Sequence, residues 1–189
     1  MRVLGYFSAA TRYLHGRAAL LHASGMKKLR LERPDWDTYF LDIAHVVARR
    51  SNCCRRQVAA LIVLEKRIIS TGYNGTPRGI RNCFEGGCPR CNGNGGSGID
   101  LAECLCSHAE ENAIVQAAYH GIAVCGGTLY STISPCLLCA KMIINAGLVG
   151  VVYEQEYHFT RQVKSLLREA GLTCRRVVRK GAGARSGRT

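Results

Sequence analysis

At 189 residues and 47% hydrophobic composition the chain can bury a core without a disulfide framework, and no apolar run approaches the roughly 18 residues that cross a bilayer. The net charge of +13 invites a nucleic-acid reading, but six Lys/Arg lie in residues 1–31 and six in 171–189, both stretches free of acid, which leaves 14 basic against all 13 acidic residues between them. That near-neutral middle argues against a grip on DNA or RNA, and the odd count of 11 cysteines argues against a stapled, secreted protein and for metal ligands.

Residues 1–33 are rich in Arg, Ala, Leu and His, and Arg12 and Arg17 with the apolar residues between them fit a basic amphipathic helix. This segment reads as a transit peptide, a docking arm or an overlong start; it has no compact apolar stretch with a cleavage site. A cytoplasmic location is expected, or a mitochondrial one if the arm is a transit peptide. Pro34-Asp35 then open a helix in which Trp36, Phe40, Ile43, Ala44 and Val47 recur at helical spacing. Residues 58–64 and 68–73 are β-rich runs, and Glu65-Lys66-Arg67 between them reads as a hairpin loop. Residues 74–106 are irregular and hold Cys83, Cys88, Cys91, Cys104 and Cys106; so long a loop needs a function or a metal to organise it.

Helical patterns follow over 108–120, stopped by Gly121, over 136–145, closed by Gly147, and over 160–170, closed by Gly171. Strands are expected over 128–132, 148–153 and 173–178. Their short connections imply right-handed crossovers and parallel neighbours. The expected architecture is α/β, a mixed five-stranded sheet with helices on both faces. One domain would occupy 34–179, followed by a small, polar, glycine-rich tail at 180–189 that should be disordered.

The chemistry concentrates in His108-Ala109-Glu110 and Pro135-Cys136-Leu137-Leu138-Cys139. Cys136 and Cys139 stand three apart at a helix start, so both sulfurs point to one side, where free N–H groups favour thiolates. His108 adds an imidazole from the start of the preceding helix. Three protein ligands leave a fourth tetrahedral position for water, the mark of a catalytic zinc, whose bound water has a pKa of about 7. Glu110, two residues past a ligand, is placed to shuttle protons. A capping histidine beside a redox or zinc-knuckle cysteine pair is the blander reading. It does not explain H-A-E and P-C-x-x-C on two βα units in this order, the pattern of zinc deaminases that attack C4 of cytosine and release ammonia.

Upstream, Cys53, Cys83, Cys88, Cys91, Cys104 and Cys106 are candidates for a second, closed zinc site of four thiolates that would pin the long loop. Some could equally be buried thiols. Cys54, Cys125 and Cys174 are read as packing residues.

Several segments carry a resemblance: Ser51-Asn52-Cys53, the run from Ile68 through Gly72-Tyr73-Asn74-Gly75 to Pro77, Asn82 to Asn92, Glu103 to Ile114, and Ser134 to Lys141. In this order, across roughly residues 35–178, the chain resembles the deoxycytidylate (dCMP) deaminase family in a cysteine-rich, fungal-type form. The resemblance implies a three-layer cytidine-deaminase-like fold and conversion of dCMP to dUMP, feeding thymidylate synthesis. It implies a nucleotide-binding loop at 73–77, where glycine lets the backbone approach a sugar-phosphate, with Asn74 and Ala109 as substrate contacts. It also implies a second zinc on Cys53, Cys83 and Cys106, the fourth ligand open among Cys88, Cys91 and Cys104. The family's homo-oligomers, often hexamers, and their control by dCTP and dTTP, with magnesium on the effector nucleotide, are expected by the same resemblance. Ala59 departs from the family's usual glycine. The competing readings are a deaminase of dCTP or cytidine, one acting on tRNA or single-stranded DNA, and a non-catalytic zinc module. The near-neutral middle and the lack of an aromatic stacking set oppose the polynucleotide reading, and Glu110 opposes the last.

Overall fold

The computed structural model describes residues 33–95, 99–157 and 160–178; the expectations for the basic arm and the glycine-rich tail fall outside them. In chain order the elements are α1 (Trp36–Ala48), β1 (Ala59–Leu64), β2 (Arg67–Tyr73), α2 (Pro89–Asn92), α3 (Ala109–Tyr119), β3 (Thr128–Ile133), α4 (Leu137–Asn145), β4 (Gly150–Gln155), α5 (Arg161–Glu169) and β5 (Thr173–Arg176). The five strands form one sheet in the order β2-β1-β3-β4-β5. β1 is antiparallel to β2 and β3, and β3, β4 and β5 run parallel.

The strands are apolar on both faces because both are covered. Ala60 and Ile62 of β1 pack with Leu129, Val151 and residues of α3, α4 and α5. Leu61 and Val63 point the other way, toward Phe40, Leu41 and Ala44 of α1, with Tyr130 and Val152. Alternate residues of one strand thus enter different layers, as a period of two requires. Each fully buried Leu or Ile here contributes about 1.5–3 kcal/mol by leaving water. Asp35 caps α1 by accepting from the Thr38 N–H at 2.9 Å, and Tyr130 Oη donates to Asp37 Oδ1 at 2.9 Å, tying that helix to the sheet.

The hairpin differs from expectation. Its loop is two residues, Glu65 and Lys66, with φ of 48° and 62°, and Arg67 already pairs with Leu64. Two consecutive left-handed residues match the twist of the flanking strands, so the tighter turn wins without glycine or asparagine. β4 begins at Gly150, two residues later than the apolar pattern indicated, because the Leu148 N–H closes the α4 turn on the Ile143 carbonyl and the Val149 N–H donates to the Gly127 carbonyl ahead of β3.

Two close approaches set the position of α3. A Cβ on Gly72 of β2 would lie 2.2 Å from the Ala109 carbonyl oxygen and 2.3 Å from the Ala113 nitrogen, so only glycine lets the helix settle this near the strand. A Cβ on Gly75 would meet Asn52 Oδ1 at 2.5 Å, and the Gly75 N–H and carbonyl pair with the Ser107 carbonyl and N–H at 3.2 and 2.9 Å. Each of these glycines admits a neighbouring piece of the protein, and together they fix the chain entering His108.

Candidate active site

The ends of the elements converge outside the C-terminal edge of β3, the usual place for a ligand crevice in an α/β sheet. Ile133 ends β3, and Ser134 and Pro135 lead to Cys136, the N-cap of α4. His108 is the N-cap of α3, held by a capping box in which the Glu111 carboxylate accepts from the His108 N–H at 3.1 Å. Both expected helices therefore begin one residue later than the sequence pattern, with the ligand residues as caps.

His108 Nδ1 lies 3.3 Å from Cys136 Sγ and 3.4 Å from Cys139 Sγ. A tetrahedral zinc with bonds of 2.0–2.3 Å implies ligand-to-ligand edges of roughly 3.5–3.8 Å, so this donor set fits the ion in chemistry and in spacing. Its electrostatics are lopsided. The Cys139 S–H, then His108 and the Cys139 N–H, hold the Cys136 thiol down to about 3, while His108 is pushed up to about 9, chiefly by Cys136. Cys139 goes the other way, raised by its neighbour Cys136 and by burial. Two adjacent anions repel, which sets the two thiols apart; a dication would offset that repulsion.

Glu110 is 4% exposed, and burial raises its carboxyl above the ordinary range. Its Oε2 accepts from Cys139 Sγ at 3.6 Å and its Oε1 from Ser131 Oγ at 3.4 Å. Ser131 is fully buried, and the Ala59 carbonyl, 3.3 Å away, competes for the same hydroxyl proton. This serine escaped the sequence reading. With Thr128, Tyr130 and Thr132 in the same strand, one more hydroxyl gave no distinguishing signal.

A cavity of about 420 Å³ opens over His108, Glu110 and Cys136. Ala109 lines it, and as the first residue of α3 its N–H makes no intrahelical bond. Asn74 lines it too, though mostly as a brace. Its Oδ1 accepts from the Val58 N–H at 2.8 Å and Ser51 Oγ at 2.7 Å, and its Nδ2 donates to the Arg56 carbonyl at 2.8 Å. An amide has two lone-pair sites and two N–H groups, so three of four are spent and one N–H can serve a ligand. The lining also carries Arg55, Arg56 and Arg90, none of them singled out in the sequence, and Arg56 stacks 3.9 Å from the centre of the Tyr157 ring. Cys-Cys-Arg-Arg and Cys-Pro-Arg-Cys, where arginine adjoins ligand cysteines, were the available cues.

The upstream cysteines gather into two overlapping groups with sulfurs within 4.8 Å of one another: Cys53, Cys83, Cys91 and Cys106, and Cys88, Cys91, Cys104 and Cys106. Cys91 is the fourth member of the group that holds Cys53, Cys83 and Cys106. The packing role read for Cys54, Cys125 and Cys174 is not met, since all three are exposed. Cys54 sits exposed at the loop rim, outside both groups although its Sγ lies 3.7 Å from Cys83 Sγ, Cys125 lies in the turn before β3, and Cys174 is on the edge strand β5.

Residues 34–155 match the family described as the cytidine and deoxycytidylate deaminase zinc-binding region. The deoxycytidylate deaminase of Saccharomyces cerevisiae is 48% identical over 145 residues, 77% of this chain and 46% of the yeast protein. That of Mycobacterium phage D29 is 39% identical over 131 residues, covering 67% of this chain and 99% of the phage protein. The dCMP deaminase of cyanophage S-TIM5, solved with dCMP and dUMP, superposes with a TM-score of 0.64 at 31% identity, covering 77% of this chain and 99% of that one. The chain spans about half the length of the yeast relative and of its Schizosaccharomyces pombe counterpart (45%). With 34–155 matched and both phage proteins covered almost end to end, the chain belongs to the cytidine and deoxycytidylate deaminase family.

Proposed function

We propose that this chain hydrolyses dCMP to dUMP and ammonia. The observation that carries the reading is a single cavity that joins a His-Cys-Cys metal-ligand set and a buried glutamate to three arginines. His108, Cys136 and Cys139 would hold the zinc, which when bound supplies a Lewis acid that makes water nucleophilic at neutral pH. Glu110 takes the proton from the attacking water and places it on the ring nitrogen N3. As the C4–O bond forms and the C4–N bond breaks, it passes the second proton to the departing amine, so water and dCMP become dUMP and ammonia. Burial suits Glu110 to this task, because a carboxyl raised toward neutrality both accepts and returns a proton. Ser131 orients it from below. The Ala109 N–H and the remaining Asn74 N–H face the base and sugar, and a guanidinium stacked as Arg56 is on Tyr157 presents its N–H fork edge-on to a phosphate.

That cationic wall favours a nucleotide over a nucleoside, and the S-TIM5 relative solved with dCMP and dUMP supports the monophosphate. Structural zinc in the upstream cysteine group belongs to the same reading. So do a homo-oligomer and control by dCTP and dTTP with magnesium; exposed Val115 and Tyr119 on α3 supply an apolar face for self-association. Ammonia release from cytidine, dCMP, dCTP and a short oligonucleotide, by wild type and Glu110→Gln, tests the proposal. Highest kcat/KM on dCMP and a zinc-loaded, inactive variant are expected. Preference for the oligonucleotide, or an active Glu110→Gln, would overturn it.

A further inference from the structure

The two cysteine groups share Cys91 and Cys106. Sulfur separations are 4.0 Å for Cys53 and Cys91, 3.6 Å for Cys91 and Cys104, 4.0 Å for Cys88 and Cys104, and 3.7 Å for Cys83 and the exposed Cys54, which belongs to neither group. A disulfide needs about 2.05 Å, so none of these pairs is bonded. Tetrahedral zinc with Zn–S of about 2.3 Å places its sulfurs about 3.8 Å apart, inside the observed range. An iron–sulfur cluster would hold its cysteines farther apart, each on its own iron.

One ion cannot account for the group. Zinc takes four ligands, and an ion among Cys53, Cys83, Cys91 and Cys106 would strand Cys88 and Cys104, although Cys104 is nearer to Cys91 than Cys53 is. Cys91 has one close neighbour in each group, so it lies between two tetrahedra rather than at the corner of one. We propose that these six residues form one two-metal centre. Cys53, Cys83, Cys91 and Cys106 surround one zinc, Cys88, Cys91, Cys104 and Cys106 a second, and Cys91 and Cys106 bridge both. No electron transfer is involved; each thiol releases its proton to solvent as it ligates.

The surroundings suit such a centre. Two dications and six thiolates leave a net charge of about −2. Arg55 and Arg90 stand beside it, Arg55 donating through Nε to the Cys91 carbonyl at 2.5 Å. The Leu105 N–H donates to Cys88 Sγ at 3.3 Å, the backbone bond a thiolate accepts. Cys83, Cys88, Cys91 and Cys106 are buried, and Cys53, Cys91, Cys104 and Cys106 also line the cavity over Glu110. The centre is thus a wall of the active site, and Cys106 ties it to the helix that starts at His108.

The test is metal stoichiometry. Native mass spectrometry and elemental analysis of the full chain, purified reduced and zinc-loaded, should give three zinc ions per chain. Cys136→Ser/Cys139→Ser should hold two, and Cys54→Ser should keep all three. Two ions in the wild type, one in the double variant, or loss on Cys54→Ser would overturn the assignment. With ¹¹³Cd in place of zinc, the two all-thiolate resonances should split each other through the shared sulfurs; unsplit resonances would refute the bridging. Because the count needs no turnover, its failure beside intact dCMP deamination would sink this centre and leave the proposed function standing.

Discussion

The His108 site and the six-cysteine centre lie along one cavity yet are built in opposite ways. The first takes its three candidate ligands from the ends of regular elements, with α3 and α4 packed on the sheet and a buried carboxylate beside them. The second draws on segments whose longest helix is the four-residue α2, and every ligand is sulfur. Where packing already holds the backbone, the ions can be spared for chemistry; where there is no apolar core, the ions must supply the core. The contrast predicts that damage to the first site removes activity with little loss of stability, and that damage to the second lowers stability.

The sharpest division comes from Glu110→Gln. It should keep its zinc and melt near the wild-type temperature while kcat on dCMP falls at least about 10³-fold, the range for a lost general acid–base. A fall in Tm of more than a few degrees would show that Glu110 also holds up the fold. Cys106→Ser probes the other side. Breaking a shared ligand should cost about 3–5 kcal/mol, read as a lowered urea midpoint. A stability unchanged from wild type would erase the contrast.

Gly72→Ala asks whether packing truly positions the first site. The added methyl meets the backbone of α3 at 2.2–2.3 Å, and neither strand nor helix can yield cheaply. A cost of about 3 kcal/mol in stability is expected, with reduced kcat as His108 and Glu110 shift together and zinc still bound. Arg56→Ala touches neither metal. Losing one phosphate partner should raise KM for dCMP about tenfold, roughly 1.4 kcal/mol, while leaving kcat/KM for cytidine unchanged. Equal losses on both substrates would place Arg56 with the fold and not with the phosphate.

The two regions were also unequally legible. His108, Glu110, Cys136 and Cys139 stand in two short segments whose internal spacing states the chemistry, and periodicity located the helices and strands around them. The six upstream cysteines were legible as a set, but their division into overlapping groups depends on the path of 74–106, which has no period to read. Gly72 and Gly75 were noticed, but the packing of Gly72 on α3 and of Gly75 on Asn52 was not: one sequence shows that a position holds glycine, not what approaches it. Arg55, Arg56, Arg90 and Tyr157 meet only through the topology, and nothing local marks an arginine as facing a cavity.

Ser131 tests the smallest of these unseen contributions and the one nearest the chemistry. Its hydroxyl lies 3.4 Å from Glu110 Oε1 and 3.3 Å from the Ala59 carbonyl, two long contacts between which one proton must choose. The serine therefore aims the carboxyl without binding it tightly, and a long neutral hydrogen bond is worth about 1 kcal/mol. Ser131→Ala should lower kcat about fivefold, leave KM for dCMP and the zinc count unchanged, and alter stability little, since a methyl fits where the hydroxyl was. Because Ser131 acts only through Glu110, it should add nothing in a Glu110→Gln background. A further drop in the double variant would mean that Ser131 holds the substrate or the sheet by itself, and that the buried carboxylate is oriented by α3 alone.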